Sequence, residues 1–140
     1  MSEQEAQQLM YQIQMLENYF ANFTQRENTL INVLKDTASA IDSIKGITEK
    51  KESETLVPVG TGIFVKTNIS SDDKIVLNVG AGVAIEKDKD SVINFLESRI
   101  KEIEVALNET AAQKQEVALK LEQGKAEMNR MAESVSMAKK

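Results

Sequence analysis

Six methionines are the residues of this chain whose type and placement could do chemistry, and that chemistry is adaptable apolar contact. Met1, Met10 and Met15 fall in the first 15 residues and Met128, Met131 and Met137 in the last 13, with none between. Thioether side chains are flexible and polarizable, and surfaces that accept many partners use them. Other chemistry has little to work with. The chain has no His and no Cys, which removes imidazole bases, thiol nucleophiles, disulfides and nearly all zinc sites. No nucleophile, base and orienting group can be assembled from what remains, so an enzyme is not expected. Gly80 and Gly82 suggest a nucleotide loop, but no third glycine and no helix start follow them, and tight turns explain both. Asp72, Asp73, Asp88 and Asp90 lack calcium-loop spacing and read as a turn and a helix cap, with Asp90 the N-cap. No metal or cofactor is expected.

Composition narrows the partners. With 28% charged residues, 41% apolar ones, no Trp, four Phe and two Tyr, the 140-residue chain resembles a coiled coil more than a compact ball. A formal charge of −5 argues against nucleic acid. No basic face suits anionic lipid, no apolar run approaches the roughly 20 residues of a membrane span, and the opening MSEQEAQQL is too polar for a signal peptide. A soluble cytoplasmic protein is the expectation.

The methionines must be positioned by two long heptad segments. Ser2 and Glu5 form a capping-box pair at the start of the first. Its seam runs Ala6, Leu9, Ile13, Leu16, Phe20, Phe23, Glu27, Leu30, Leu34, Thr37, Ile41 and Ile44 in alternating steps of three and four. Gly46 can end it in the left-handed conformation. The second seam runs Ile93, Leu96, Ile100, Ile103, Leu107, Thr110, Lys114, Val117, Leu121, Gly124, Met128, Met131, Val135 and Ala138. Four regions follow: a helix over 1–46, a polar connector over 47–54, a β-rich stretch over 55–87 and a helix over 88–140.

Between the helices Val59-Gly60-Thr61-Gly62-Ile63 and Val79-Gly80-Ala81-Gly82-Val83 repeat one pattern, which predicts two β-hairpins. Pro58 places the first strand at an edge. Strands this short cannot bury their own apolar side chains. Leu56, Val57, Val59, Ile63, Val65, Ile75, Leu77, Val79, Val83 and Ile85 are therefore candidate subunit-assembly residues.

The simplest pairing of the helices is antiparallel within the chain. Aligning Ile44 with Ile93 places Leu30 by Leu107, Phe20 by Val117 and Leu16 by Leu121. Glu27 then falls opposite Thr110, one layer from Lys114, so the main polar interruptions of both stripes meet. Such a layer fixes register at a cost in stability, and on this basis Glu27→Leu should stabilise the pair while loosening its register. Each helix arm would reach on the order of 65 Å, with both termini, and all the methionines, at its far end. Gly124, Ala6 and Ala138 predict loose packing there.

At Glu54-Thr55-Leu56-Val57-Pro58-Val59-Gly60 and Asn78-Val79-Gly80-Ala81-Gly82-Val83 the chain resembles the prefoldin family, most closely the archaeal alpha type, and the resemblance covers its whole length. It implies an α+β fold: a long antiparallel coiled-coil hairpin with two β-hairpins inserted, whose strands form an oligomeric β-barrel platform. It further implies a hexamer of two alpha and four beta subunits that holds unfolded proteins without ATP and passes them to a group II chaperonin. The family's client contacts map to Leu9, Met10, Ile13, Leu121, Met128, Met131 and Val135. Several weakly apolar tips around one cavity would hold a client by avidity. The alternative is a structural adaptor whose coil binds one defined helical partner.

Overall fold

The computed structural model describes residues 2–49 and 51–138, without the side chain of Thr48. Met1, one of the six methionines, and Lys50, in the expected connector, lie outside the described residues. The elements are helix α1 (Glu3–Glu49), strands β1 (Glu52–Gly60), β2 (Ile63–Ser70), β3 (Ile75–Gly80) and β4 (Val83–Lys87), and helix α2 (Lys89–Ala138). Two long helices with two β-hairpins between them make the fold α+β, as the sequence predicts. The chain divides into two compact units, one of residues 2–32 with 104–138, the other of residues 33–103.

In the first unit α1 and α2 pair antiparallel. The capping box closes the start of α1, Glu5 N donating to Ser2 Oγ and Ser2 N to Glu5 Oε2, both at 3.3 Å. Every α1 seam residue from Ala6 to Leu30 is at least half-buried, while its neighbours are mostly exposed. Register is visible in single contacts. A Cβ built on Gly124 would lie 3.2 Å from Ile13 Cγ1, the pairing that the Leu16–Leu121 alignment gives one layer further on. Gly124 thus sits in continuous helix at a close approach.

The polar layer is an ion pair. Lys114 Nζ lies 3.4 Å from Glu27 Oε1 and 5.2 Å from the centroid of the Phe20 ring, with about a quarter of each charged side chain exposed (24% and 25%). Thr110, 1% exposed, does not join it; its hydroxyl donates to Ala106 O at 2.7 Å within its own helix. This revises the expectation for Glu27→Leu. Removing Glu27 alone leaves a half-buried ammonium with only the Phe20 ring beside it, so only replacing both charges removes the cost of burying them.

The second unit holds the buried residues Ile41, Ile44, Val92 and Ile103 and both hairpins. Here three boundaries differ from the sequence reading. Helix α1 runs through Gly46 to Glu49, because Ile47 continues the stripe three residues beyond Ile44 and is half-buried. A glycine inside a helix costs about 1 kcal/mol, which a covered isoleucine offsets. Strand β1 begins inside the expected connector, Glu52 pairing Ser70, Ser53 Ile69 and Glu54 Asn68. Backbone pairing is indifferent to side-chain polarity, and Lys66 Nζ reaches Glu54 Oε1 at 3.5 Å across the strands. The N-cap of α2 is Asp88, not Asp90: its Oδ1 accepts from Ser91 N at 2.8 Å, and Val92 N donates to its carbonyl. Asp90 lies in the first helical turn, where its charge still faces the positive end of the helix.

Each hairpin is its own two-stranded antiparallel sheet, β1-β2 and β3-β4. Their two-residue turns are alike. Thr61 (φ 45°) with Gly62 (79°) and Ala81 (52°) with Gly82 (76°) both have positive φ at both central positions, the handedness that matches the twist of flanking strands. A register irregularity precedes each, between Pro58 and Gly60 and between Asn78 and Gly80. Between the hairpins Asp73 Oδ2 accepts from Ser70 N at 2.8 Å and Ser70 Oγ from Asp72 N at 3.2 Å, so these residues shape the turn.

Two outcomes follow. Replacing the Glu27–Lys114 pair by leucines should stabilise the coil by about 1–4 kcal/mol; a lower Tm at fixed concentration would contradict the account of the layer. The Asp88 carboxyl is held below the usual carboxylate range by the Ser91 hydroxyl and amide, helped by Lys74 and Lys87. Its capping contribution is present above that range and fades as pH falls through it. Asp88→Asn should therefore lower stability near neutrality and flatten its loss on acidification, read as Tm against pH.

Candidate functional site

Two surfaces expose apolar side chains in quantity. The first lies in the unit that contains both helix termini, where the antiparallel seam sets residues near the start of α1 beside residues near the end of α2. Met10, Tyr11 and Ile13 from α1 and Met128 from α2 line an open groove of about 770 Å³, bordered by Gln7, Gln14, Glu17, Lys125 and Asn129. Met10 (62%) and Tyr11 (64%) are exposed, whereas Ile13 and Met128 are half-buried in the seam. Lys125 Nζ lies 3.5 Å from Glu17 Oε1, so the two charges at the groove's border neutralise each other.

The other expected contact residues divide among different surroundings. Leu9 and Met131 line a smaller groove with Glu5, Gln8, Gln12 and Glu127. Leu9 and Ile13 also line a third, beside Gly124. Leu121 is half-buried in the seam and borders none of these. Val135 (54%) and Met137 (79%) are exposed beyond them. The structure thus brings Met10, Ile13 and Met128 together and sets Leu9 with Met131. Heptad reasoning missed Tyr11, because it lies off the seam; its place next to Met10, one turn from Gln7 and Gln14, was the available signal.

The second surface is the pair of hairpins. Leu56, Val57, Val59, Ile63, Val65, Val79 and Val83 are all exposed, while Ile75, Leu77 and Ile85 share one half-covered face of the β3-β4 sheet. The register Val57↔Val65 and Leu56↔Lys66 puts Val57 and Val65 on one face of the β1-β2 sheet and Leu56 on the other. Phe64 (54%), paired with Pro58, and Val76 (64%) belong with these residues although the assembly set drawn from sequence omits them. The β1-β2 hairpin is therefore apolar on both faces. Lys89 is a further omission: 7% exposed, it donates from Nζ to Ser70 O at 2.9 Å and ties the start of α2 to the end of β2. Among the described residues no helix is long and apolar enough to cross a membrane.

Comparison with known proteins places this geometry. The family model described as prefoldin subunit matches residues 9–134. The chain belongs to the prefoldin family. Prefoldin subunit alpha of Nitrosopumilus maritimus is 55% identical over 138 residues, covering 99% of this chain and 95% of that protein. Prefoldin subunit alpha of Pyrococcus horikoshii is 34% identical over 110 residues, covering 76% and 73%. Among solved structures, filamentous prefoldin from Methanocaldococcus jannaschii aligns with a TM-score of 0.72 at 19% identity, covering 84% of this chain and 98% of that one. The prefoldin beta subunit from Thermococcus strain KS-1 aligns with a TM-score of 0.65 at 18% identity, covering 91% of each. These two show the fold. Prefoldin membership and high identity to alpha subunits give the chain the role of a chaperone subunit.

Proposed function

We infer that this prefoldin chain is the alpha subunit of a cytoplasmic holdase, two alpha with four beta subunits, that captures unfolded proteins at the terminal end of its coiled coil without ATP and delivers them to a group II chaperonin. The observation that carries the reading is the groove in which exposed Met10 and Tyr11 meet Met128. Contact there is apolar, shallow and adaptable, which suits clients recognised by exposed apolar surface rather than by sequence.

The strands take the other half of the work. A two-stranded hairpin is at best marginally stable in water, and the β1-β2 hairpin exposes apolar side chains on both faces. Pairing with strands of partner subunits would cover both faces and both edges, and a closed barrel of such strands leaves no edge at all. Leu56, Val57, Val59, Ile63, Val65, Ile75, Leu77, Val79, Val83 and Ile85, with Phe64, are assigned to that assembly. Several shallow grooves on one complex then hold a client that a single groove would release.

The test is aggregation of two unrelated denatured proteins in the presence of the assembled complex. Met10→Ser with Tyr11→Ser, both at exposed positions, should leave assembly unchanged by sedimentation and weaken suppression several-fold. Undiminished suppression by the doubly substituted complex would place clients elsewhere. Tight binding of one folded protein, with no suppression, would favour an adaptor.

A further inference from the structure

The three longest stretches of the chain without a charged residue are each 11 residues long: Ala6–Leu16, Thr55–Val65 and Ile75–Ile85. The last two are the facing strands and turns of the hairpins. The first is not strand at all but the turns of α1 that follow Glu3 and Glu5, with Gln7, Gln8, Met10, Tyr11, Gln12, Gln14 and Met15 exposed. Over the same part of the unit α2 carries Lys120, Glu122, Lys125, Glu127, Arg130 and Glu133. The groove itself carries one charge from each helix, Glu17 and Lys125, and these pair with each other at 3.5 Å. Charged residues are depleted where a surface is desolvated against a partner, and apart from that one ion pair the lining of the groove is uncharged.

That lining is not simply apolar. The amide side chains of Gln7, Gln14 and Asn129 border the groove, stand exposed, and make no side-chain hydrogen bond to another described residue. Each amide offers both donors and an acceptor, the complement of a peptide group. Gln7 and Gln14 are about 10 Å apart along the helix axis, the length of about three residues of extended chain, and Met10 and Tyr11 lie between them. An extended segment laid on apolar side chains alone would lose water from its peptide groups without replacement, which is unfavourable. A helical segment would arrive with those groups already paired.

We propose that the groove takes an extended, uncharged segment of unfolded polypeptide, with the amides of Gln7, Gln14 and Asn129 bonding its backbone while Met10, Tyr11 and Met128 cover its apolar side chains. This deepens the client-site reading above and rests on it. Selection is then for open backbone as well as for apolar surface, which separates an unfolded chain from a folded protein with an apolar patch.

The experiment measures binding of a fluorescent, uncharged, unstructured peptide of Leu, Ser and Asn to the assembled complex, beside a copy N-methylated at alternate residues. The unmodified complex should bind the methylated copy about tenfold more weakly, and Gln7→Leu with Gln14→Leu should bring the two peptides within about twofold. Equal affinities for the unmodified complex overturn the proposal, and that comparison needs no variant. Full discrimination surviving in the leucine variant overturns it as well. Either result leaves the chaperone reading standing, since that reading fails only if the unmodified complex suppresses aggregation of neither denatured protein.

Discussion

Two apolar stripes on one chain can cover each other in few ways, and the antiparallel register seen at Ile13 with Gly124 and at Glu27 with Lys114 is the constraint on which the rest depends. A slip of one heptad would bring Lys114 against apolar layers and separate it from Glu27, at the cost of an unpaired, partly buried charge. Register in turn decides function. It sets Met10 beside Met128 and Leu9 beside Met131, residues more than a hundred positions apart in sequence. The groove at the terminal end of this prefoldin chain's coiled coil is a product of pairing, not of either helix alone.

Charge organises the chain at a coarser level. From Lys114 to Glu133 α2 alternates basic and acidic residues, and exposed pairs such as Lys120–Glu116 contribute little to stability. The three longest uncharged stretches are the two hairpin turns with their flanking strands and Ala6–Leu16 of α1. Where a surface is to be buried against other subunits, apolar β-branched side chains fill it. In the α1 stretch methionine, tyrosine and glutamine fill it. The same absence of charge thus marks the hairpins in one unit and the proposed client groove in the other.

Much of this was legible in the sequence. Both seams, the capping box at Ser2 and Glu5, the hairpin turns and the meeting of Glu27 with Lys114 follow from period and residue type. The errors share a cause. Gly46, the TEKKESE connector and Asp90 were read from local preference, and each was overridden by something non-local or one step away: the covered Ile47, the backbone of β2, and the Ser91 amide that chose Asp88. Tyr11 and Lys89 lie outside the expected set because that reading drew only on seam residues and methionines. Tyr11 lies two positions from both Leu9 and Ile13, and the burial of Lys89 against the Ser70 carbonyl at the end of β2 requires coordinates.

The division of labour between the two surfaces is tested most directly by photo-crosslinking within the assembled complex while it holds an unfolded client, with benzoylphenylalanine replacing Tyr11 in one sample and Phe64 in another. The account predicts client crosslinks from position 11 and crosslinks to neighbouring subunits from position 64. Client crosslinks from position 64, with none from position 11, would contradict it.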